Sequence, residues 1–467
     1  MSIYFVFSGG QIAVIITDFL QGLVVNIVFL VIIIMLFKIF TFDQIFDALQ
    51  TAPENASLIN PFKTSQAKDF NLGFFIIGVI GAFYSTLSWQ GTQGYNSSAK
   101  TAHEAKMGAV LTNWRGIPQV LFLLIIPIIA YTVLHHQDFL AQAGLVQGTL
   151  DGLDSSAVKS QLTVPLVLTH FLPRGLMGAL AAVMLAAFIS THDTYLHSWA
   201  SILVQDVLLP IRKKPFTKEQ HLKVLRWAII GVAVFIFIFS LYLRQTQFIM
   251  LFWAVTGAIF AGGSGAVIIG GLYWKRGTTT AAWSAMITGA VISVFGFVVN
   301  QMKEDFFING QWFWGIAMVA AMLVYVLVSL FSKKKVFNLD KLLNRGEYAI
   351  QGEHKVVAQK PARGLKLLGM GKEFSLGDKI IYIITYCWIL FWALIFIVGT
   401  FYYFAYGISD RMWMELWKIY LKINISIAVI VVVWFAIGGF RDLRRMLYDL
   451  KNMKRNDADD GFVRNAE

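Results

Sequence analysis

Residues 186–198 read AAFISTHDTYLHS, inside a stretch otherwise made almost entirely of Ala, Leu, Val, Met and Phe. On a helical period Ala187, Ser190, Thr191, Thr194 and Ser198 share one face, with Asp193 at its edge. Hydroxyl and backbone carbonyl oxygens suit a small hard cation such as Na⁺, whereas zinc or copper would call for imidazole or thiolate. His192 and His197 are five residues apart and face different ways, and no HExxH spacing is present. A structural reading competes: Ser and Thr hydroxyls often back-bond to the preceding helical turn. Against it stands the cost of keeping Ser-Thr followed by Asp at membrane depth.

Two further stretches carry polar groups into apolar surroundings. SGGQIAVIITDFLQG places Asp18 in an apolar run, with Thr17 beside it and Gln21 one turn on. An intramembrane carboxylate is a functional candidate by default; the alternative is an interfacial position where it caps a helix start behind Gly9 and Gly10. Farther on, FFIIGVIGAFY gives way to WQGTQGYNSSAK. Broken helices at membrane depth are tolerated where they are buried in protein or line a cavity, as in transporter binding sites. Tyr84, Trp89, Gln90 and Gln93 are therefore candidate solute contacts through hydrogen bonds and ring stacking. The alternative is that the helix has reached the headgroups by Gly94, a reading that suits the residues beyond Tyr95 best.

The elements that must position these residues are membrane spans. Of 467 residues, 57% are hydrophobic and 14% charged, with a mean hydropathy of +0.64; a soluble chain carries about 25% charge. The pattern is that of an all-α polytopic membrane protein with about ten transmembrane helices. They are expected at about 10–40, 71–95, 112–134, 173–206, 222–243, 246–273, 279–300, 311–331, 380–405 and 418–440. Strand-like alternation is absent, which excludes an outer-membrane barrel. The net charge of +12 resides mostly in alternate loops, so it reads as positive-inside topology rather than nucleic-acid binding. A cytoplasmic C-terminus follows, and a bacterial inner membrane is the expected location. The one cysteine, Cys387, permits no disulfide framework or thiolate cluster within the chain.

Four segments are expected: a membrane core over 1–332, a basic cytoplasmic loop over 333–379, two additional helices over 380–440, and a cytoplasmic tail over 441–467. Trp and Tyr near the span ends (Tyr402, Tyr403, Trp413, Trp417) suit interfacial anchoring against membrane lipids. Within 246–273 two rows of small residues, Ala258/Gly262/Ala266/Gly270 and Gly257/Ala261/Gly265, read as close helix packing.

GGQIAVIITDFLQG, then Q…SSAK…EAKMG, then LPRGLMGALAAVMLAAFISTHDTYLHSWASILVQD resemble the sodium:solute symporter family, whose members include sodium/glucose, proline and sialic acid carriers. GLYWKRGTTTAAWSAMITG is similar to the segment after that family's tenth core helix. The resemblance implies a five-plus-five inverted-repeat core of the leucine-transporter type, with this chain beginning at the fifth core helix. An incomplete C-terminal portion is expected, lacking the first four core helices of the full-length chain as its partners. The family's main sodium site matches the Ala187 carbonyl and the Ser190 and Thr191 hydroxyls on this side. The second sodium site of some members matches Asp18, Asp193 and Thr194, with Asp193 where those members carry Ser. The sixth core helix lends solute contacts, matching the stretch around Trp89, Gln90 and Gln93.

The resemblance implies sodium-coupled symport of a small polar solute by alternating access, with Na⁺ as coupling ion and no organic cofactor. Trp, Gln and Tyr suit a sugar or polyol; amino and organic acids stay open. A symporter-like sensor is the alternative, one that would need a partner on the 333–379 loop. An intramembrane enzyme using Asp18, Asp193 and the histidines is not expected, since no nucleophile–base signature accompanies them.

Overall fold

Long apolar runs with few prolines leave the backbone no partner but itself in lipid, and helix is what these runs form. The computed structural model describes residues 1–67, 69–85, 88–154, 156–212, 216–243, 247–303, 306–333, 338–342, 346–348 and 369–453, with Gln93, Ser156, Ala157, Asp340 and Leu342 described by backbone alone. Most of the 333–379 loop and the tail from 454 therefore lie outside the described residues.

In chain order the helices begin with α1 (Ser2–Ile39), α2 (Phe42–Gln50), α3 (Leu72–Tyr84), α4 (Gln93–Ser97), α5 (Ala102–Arg115) and α6 (Ile117–His135). Next come α7 (Leu140–Asp151), α8 (Ser156–Phe171), α9 (Arg174–Ile202), α10 (Leu209–Arg212) and α11 (Lys218–Tyr242). The remainder are α12 (Ile249–Tyr273), α13 (Thr279–Met302), α14 (Gly310–Phe331), α15 (Leu339–Leu342), α16 (Leu376–Tyr406) and α17 (Asp410–Asn452). Local signals set the boundaries. Thr41 and Gln44 form a capping box at α2, and Ser375 with Asp378 does the same at α16. Asn71, Thr101, Thr278, Asn309 and Ser409 accept from first-turn N–H groups of α3, α5, α13, α14 and α17.

Among the described residues nine stretches are long and apolar enough to cross a membrane. The remaining expected span, 71–95, contains a helix of only 13 residues, α3. At 1.5 Å per residue it covers about 20 Å, short of a hydrocarbon core of about 30 Å. The chain breaks after Tyr84, where the polar run begins. At the other end, α17 continues through Arg441 to Asn452, beyond the expected end of its span at 440.

The described residues divide into two units, one from Met1–Lys63, Gly91–Leu241 and 374–453, the other from Thr64–Gln90 and the described part of 242–373. In the first, Ile32, Ile33 and Leu36 of α1, with Phe40 just past its end, pack with Leu121, Ile125 and Ile129 of α6 and with Val167 and Leu168 of α8. Phe29 and Phe122 stack at 3.7 Å between ring centroids within this core. A second cluster joins Val6 and Val14 of α1 to Leu196 and Ala200 of α9 and to Ile229 and Val232 of α11.

In the other unit α12, α13 and α14 pack on one another with α3 alongside. The small-residue rows of α12 explain the close approach. A Cβ on Gly263 would lie 2.7 Å from the Ala285 oxygen, and one on Gly289 would lie 2.5 Å from the Gly263 nitrogen. Gly265 faces Tyr84 and Gly270 faces Tyr325, while Gly257 has open space. The packing reading holds for every glycine of the two rows except Gly257.

Candidate functional site

The first polar cluster is built on α1 and α9, both in the first unit. α1 is not straight: Gly10 takes φ 55° and ψ −150°, a left-handed conformation that favours glycine. Residues 2 and 18 of a straight helix would lie about 24 Å apart along its axis. Here the Ser2 hydroxyl donates to the Ile189 carbonyl at 3.3 Å while Asp18 meets Ser190, the next residue. The helix therefore folds back at Gly10, and both arms reach one turn of α9.

Asp18 is the centre of the cluster. Ser190 Oγ donates to one carboxylate oxygen at 2.6 Å and Thr194 Oγ1 to the other at 3.1 Å. The four-residue spacing of the two hydroxyls puts both over one carboxylate. The capping alternative for Asp18 is thus not what the structure holds: its partners are side chains of α9, not first-turn N–H groups. Thr17, beside it, back-bonds to Ala13 and Val14 at 2.9 and 3.0 Å and takes no part.

Thr191 turns away. Its hydroxyl back-bonds to the Ala187 carbonyl at 2.9 Å on an exposed part of α9, as the structural reading of these hydroxyls expects. The structure thus brings Ser190 and Thr194 to Asp18, and leaves Ala187 and Thr191 paired to each other on a neighbouring face. Asp193 is completely buried, and among the described residues neither of its oxygens has a hydrogen-bond partner. The Ser2 hydroxyl, the N-terminal amine and His192 nevertheless lie near enough to act on its carboxylate; a buried carboxylate held this loosely is costly, and a cation or a proton relieves that cost.

The two histidines do different things. His192 Nδ1 lies 2.8 Å from the Phe188 carbonyl and its ring packs on Phe188. His197 is buried beside the Tyr95 ring at 6.1 Å. No group of three or more His, Cys, Asp or Glu among the described residues is placed to hold a metal ion. What remains at Asp18 is one carboxylate and two hydroxyls from two helices. All three are oxygen donors, which is what a hard monovalent cation takes.

The solute candidates separate. Tyr84 is 5% exposed and its hydroxyl donates to the Gly262 carbonyl at 2.8 Å, so its hydrogen is already committed to packing α3 on α12. That argues against the expected solute contact: a buried hydroxyl paired to a helix carbonyl holds two helices together. Trp89 and Gln90 are exposed on the run that follows α3. The side chain of Gln93 lies outside the description, and its backbone opens α4.

Two participants were not singled out from the sequence as site residues. Ser198 donates to the Gly91 carbonyl at 2.7 Å, and Gln11 Nε2 donates to the Gly94 carbonyl at 2.8 Å. Both had a signal in spacing. Ser198 stands one turn past Thr194, and Gln11 two turns before Asp18.

Comparison with known proteins bears on this arrangement. The family model of the sodium:solute symporter family matches residues 1–289. Sodium/proline symporter 2 of Staphylococcus saprophyticus is 26% identical over 312 residues, which is 63% of this chain and 53% of that protein. An uncharacterised symporter of Cupriavidus necator is 25% identical over 188 residues, 37% of this chain and 26% of that protein. The chain spans about half the length, or less, of these relatives.

Proposed function

The chain belongs to the sodium:solute symporter family, and on that premise we propose that it serves sodium-coupled uptake of a small polar solute by alternating access. The observation that carries the reading is the intramembrane Asp18 carboxylate gripped by Ser190 and Thr194. Sodium, as cargo, would lie on these three oxygen donors. Both hydroxyls now point their hydrogens at Asp18, and on binding they would rotate to offer lone pairs to the ion. Asp193 lies one residue from Thr194 and adds negative charge that favours a cation nearby. The Ala187 carbonyl and Thr191 hydroxyl are a second oxygen set on the adjacent face, and we assign them to the family's main sodium position.

Trp89, Gln90 and Gln93 remain the solute contacts we propose, with Tyr84 withdrawn to a packing role. An amino acid is the first solute class to examine, because the relative whose name states a solute is a sodium/proline symporter. A sugar or polyol is the second, since Trp89 is 42% exposed and offers an indole face of the kind that stacks on a sugar ring. By the positive-inside rule we place 275–276 and the segment after 440 on the cytoplasmic side, in a bacterial inner membrane.

The experiment is uptake into proteoliposomes of labelled proline, other neutral amino acids and sugars, with sodium or potassium outside. Uptake of at least one solute that requires inward sodium, and is lost in Asp18→Ala, is the expected result. No sodium-dependent uptake across the panel by a protein that retains its fold would overturn the reading.

A further inference from the structure

The polar faces of α1 and α9 extend past the ion ligands. Ser198 is 6% exposed, and its hydroxyl reaches across the chain to the Gly91 carbonyl at 2.7 Å. Gln11 follows the fold-back at Gly10 directly and reaches the Gly94 carbonyl at 2.8 Å. The two helices that meet at Asp18 therefore also hold the two glycines on either side of Gln93.

These attachments fall where the main chain is least able to hold itself. Gly91 is the middle residue of a single 3-10 turn, Gln90–Thr92, and α4 spans only five residues. Helices this short are marginal on their own and depend on outside contacts for order. Two glycines in four residues make the segment softer still. Ser198 and Gln11 supply two side-chain donors from two different rigid helices, one on each side of Gln93.

We propose that Ser198 and Gln11 are positioning residues that transmit sodium occupancy at Asp18 to the segment Gly91–Ser97. Thr194 and Ser198 are one turn apart on α9, and Gln11 and Asp18 are two turns apart on α1. An ion that draws Asp18, Ser190 and Thr194 onto itself fixes α1 against α9. The same adjustment carries Ser198 and Gln11, and with them the Gly91 and Gly94 carbonyls, into one arrangement. Sodium then orders the backbone around Gln93 before any solute arrives, and by reciprocity a solute held there tightens sodium. The inference rests on the sodium reading of the Asp18 cluster.

The test uses the purified full chain in lipid nanodiscs and sodium alone as the probe. Amide hydrogen exchange over residues 91–97 is measured in NaCl and in KCl of equal ionic strength. The sodium-dependent rise in thermal midpoint is followed in parallel. In the wild type, sodium should slow exchange by about fivefold, the scale of one net hydrogen bond. Ser198→Ala should bring that ratio close to one while keeping the sodium-dependent rise in thermal midpoint, and Ser198→Thr, which keeps the hydroxyl, should restore it. Gln11→Ala is the independent variant and should act in the same direction. An unchanged exchange ratio in both alanine variants overturns the proposal with the sodium reading intact. A wild type whose midpoint ignores sodium overturns the sodium reading, and this inference with it.

Discussion

Asp18 is a charged group kept inside a protein that has little else charged at that depth, and its two hydroxyl partners are neutral. Neutral donors soften the cost of burying a carboxylate without neutralising it, and the Arg115 guanidinium acts on it only at longer range, so a cation seated on the carboxylate gains more there than either hydroxyl does. Asp18→Asn keeps the shape and removes the charge. It should raise the sodium concentration at half effect by at least about tenfold, the scale of a lost charge-assisted interaction. A sodium titration of thermal midpoint reads this directly. Thr191→Ala separates the two oxygen sets: if Thr191 and Ala187 form a further sodium position, sodium-driven uptake weakens while the Asp18-dependent midpoint shift persists. The acidic and hydroxyl members of the cluster were legible in AAFISTHDTYLHS and TDFLQ because their types are out of place in apolar runs. Which hydroxyl faces which carboxylate was not. Ser190 and Thr191 are adjacent and equivalent by composition, and only the packing of α1 sends one to Asp18 and the other back to its own helix.

At the scale of elements, glycine decides two things. Gly10 sits at φ 55°, where a Cβ costs about 1–2 kcal/mol, so Gly10→Ala should lower the thermal midpoint. It should also weaken the sodium response, because the arm carrying Ser2 would be pushed off α9. Gly289 and Gly263 let α12 and α13 meet backbone to backbone. Gly289→Val forces the two helices apart and should destabilise by about 1–3 kcal/mol or more. Gly257→Ala, with open space around it, should leave stability within about 0.5 kcal/mol. Thermal unfolding monitored by intrinsic fluorescence ranks the three. Spacing predicted that these rows pack closely, and it could not predict which glycine is spared, since that depends on whether a neighbouring helix covers it.

For the molecule as a whole, sidedness is the property on which transport depends. With Cys387 replaced, single cysteines placed at Lys275 or Arg444 should react with a membrane-impermeant maleimide only when the cytoplasmic face is open. One at Asp151 should react from outside. Equal labelling of all three from one side would reject the topology. The amino-acid sequence by itself determined that the chain is helical and membrane-embedded, roughly where it crosses, which intramembrane side chains are polar, and which family it resembles. Those properties are local: hydropathy over about 20 residues and the types of a few neighbours suffice. Tertiary structure alone decided that α1 folds back at Gly10, that Asp18 joins Ser190 and Thr194 rather than capping its own helix, and that Tyr84 belongs to packing. It also brought Ser198 and Gln11 to the carbonyls beside Gln93. Each of these is a meeting of residues 80 to 180 positions apart, or a bend that selects among them. Such meetings are set by how whole helices approach one another, which no local window of sequence contains.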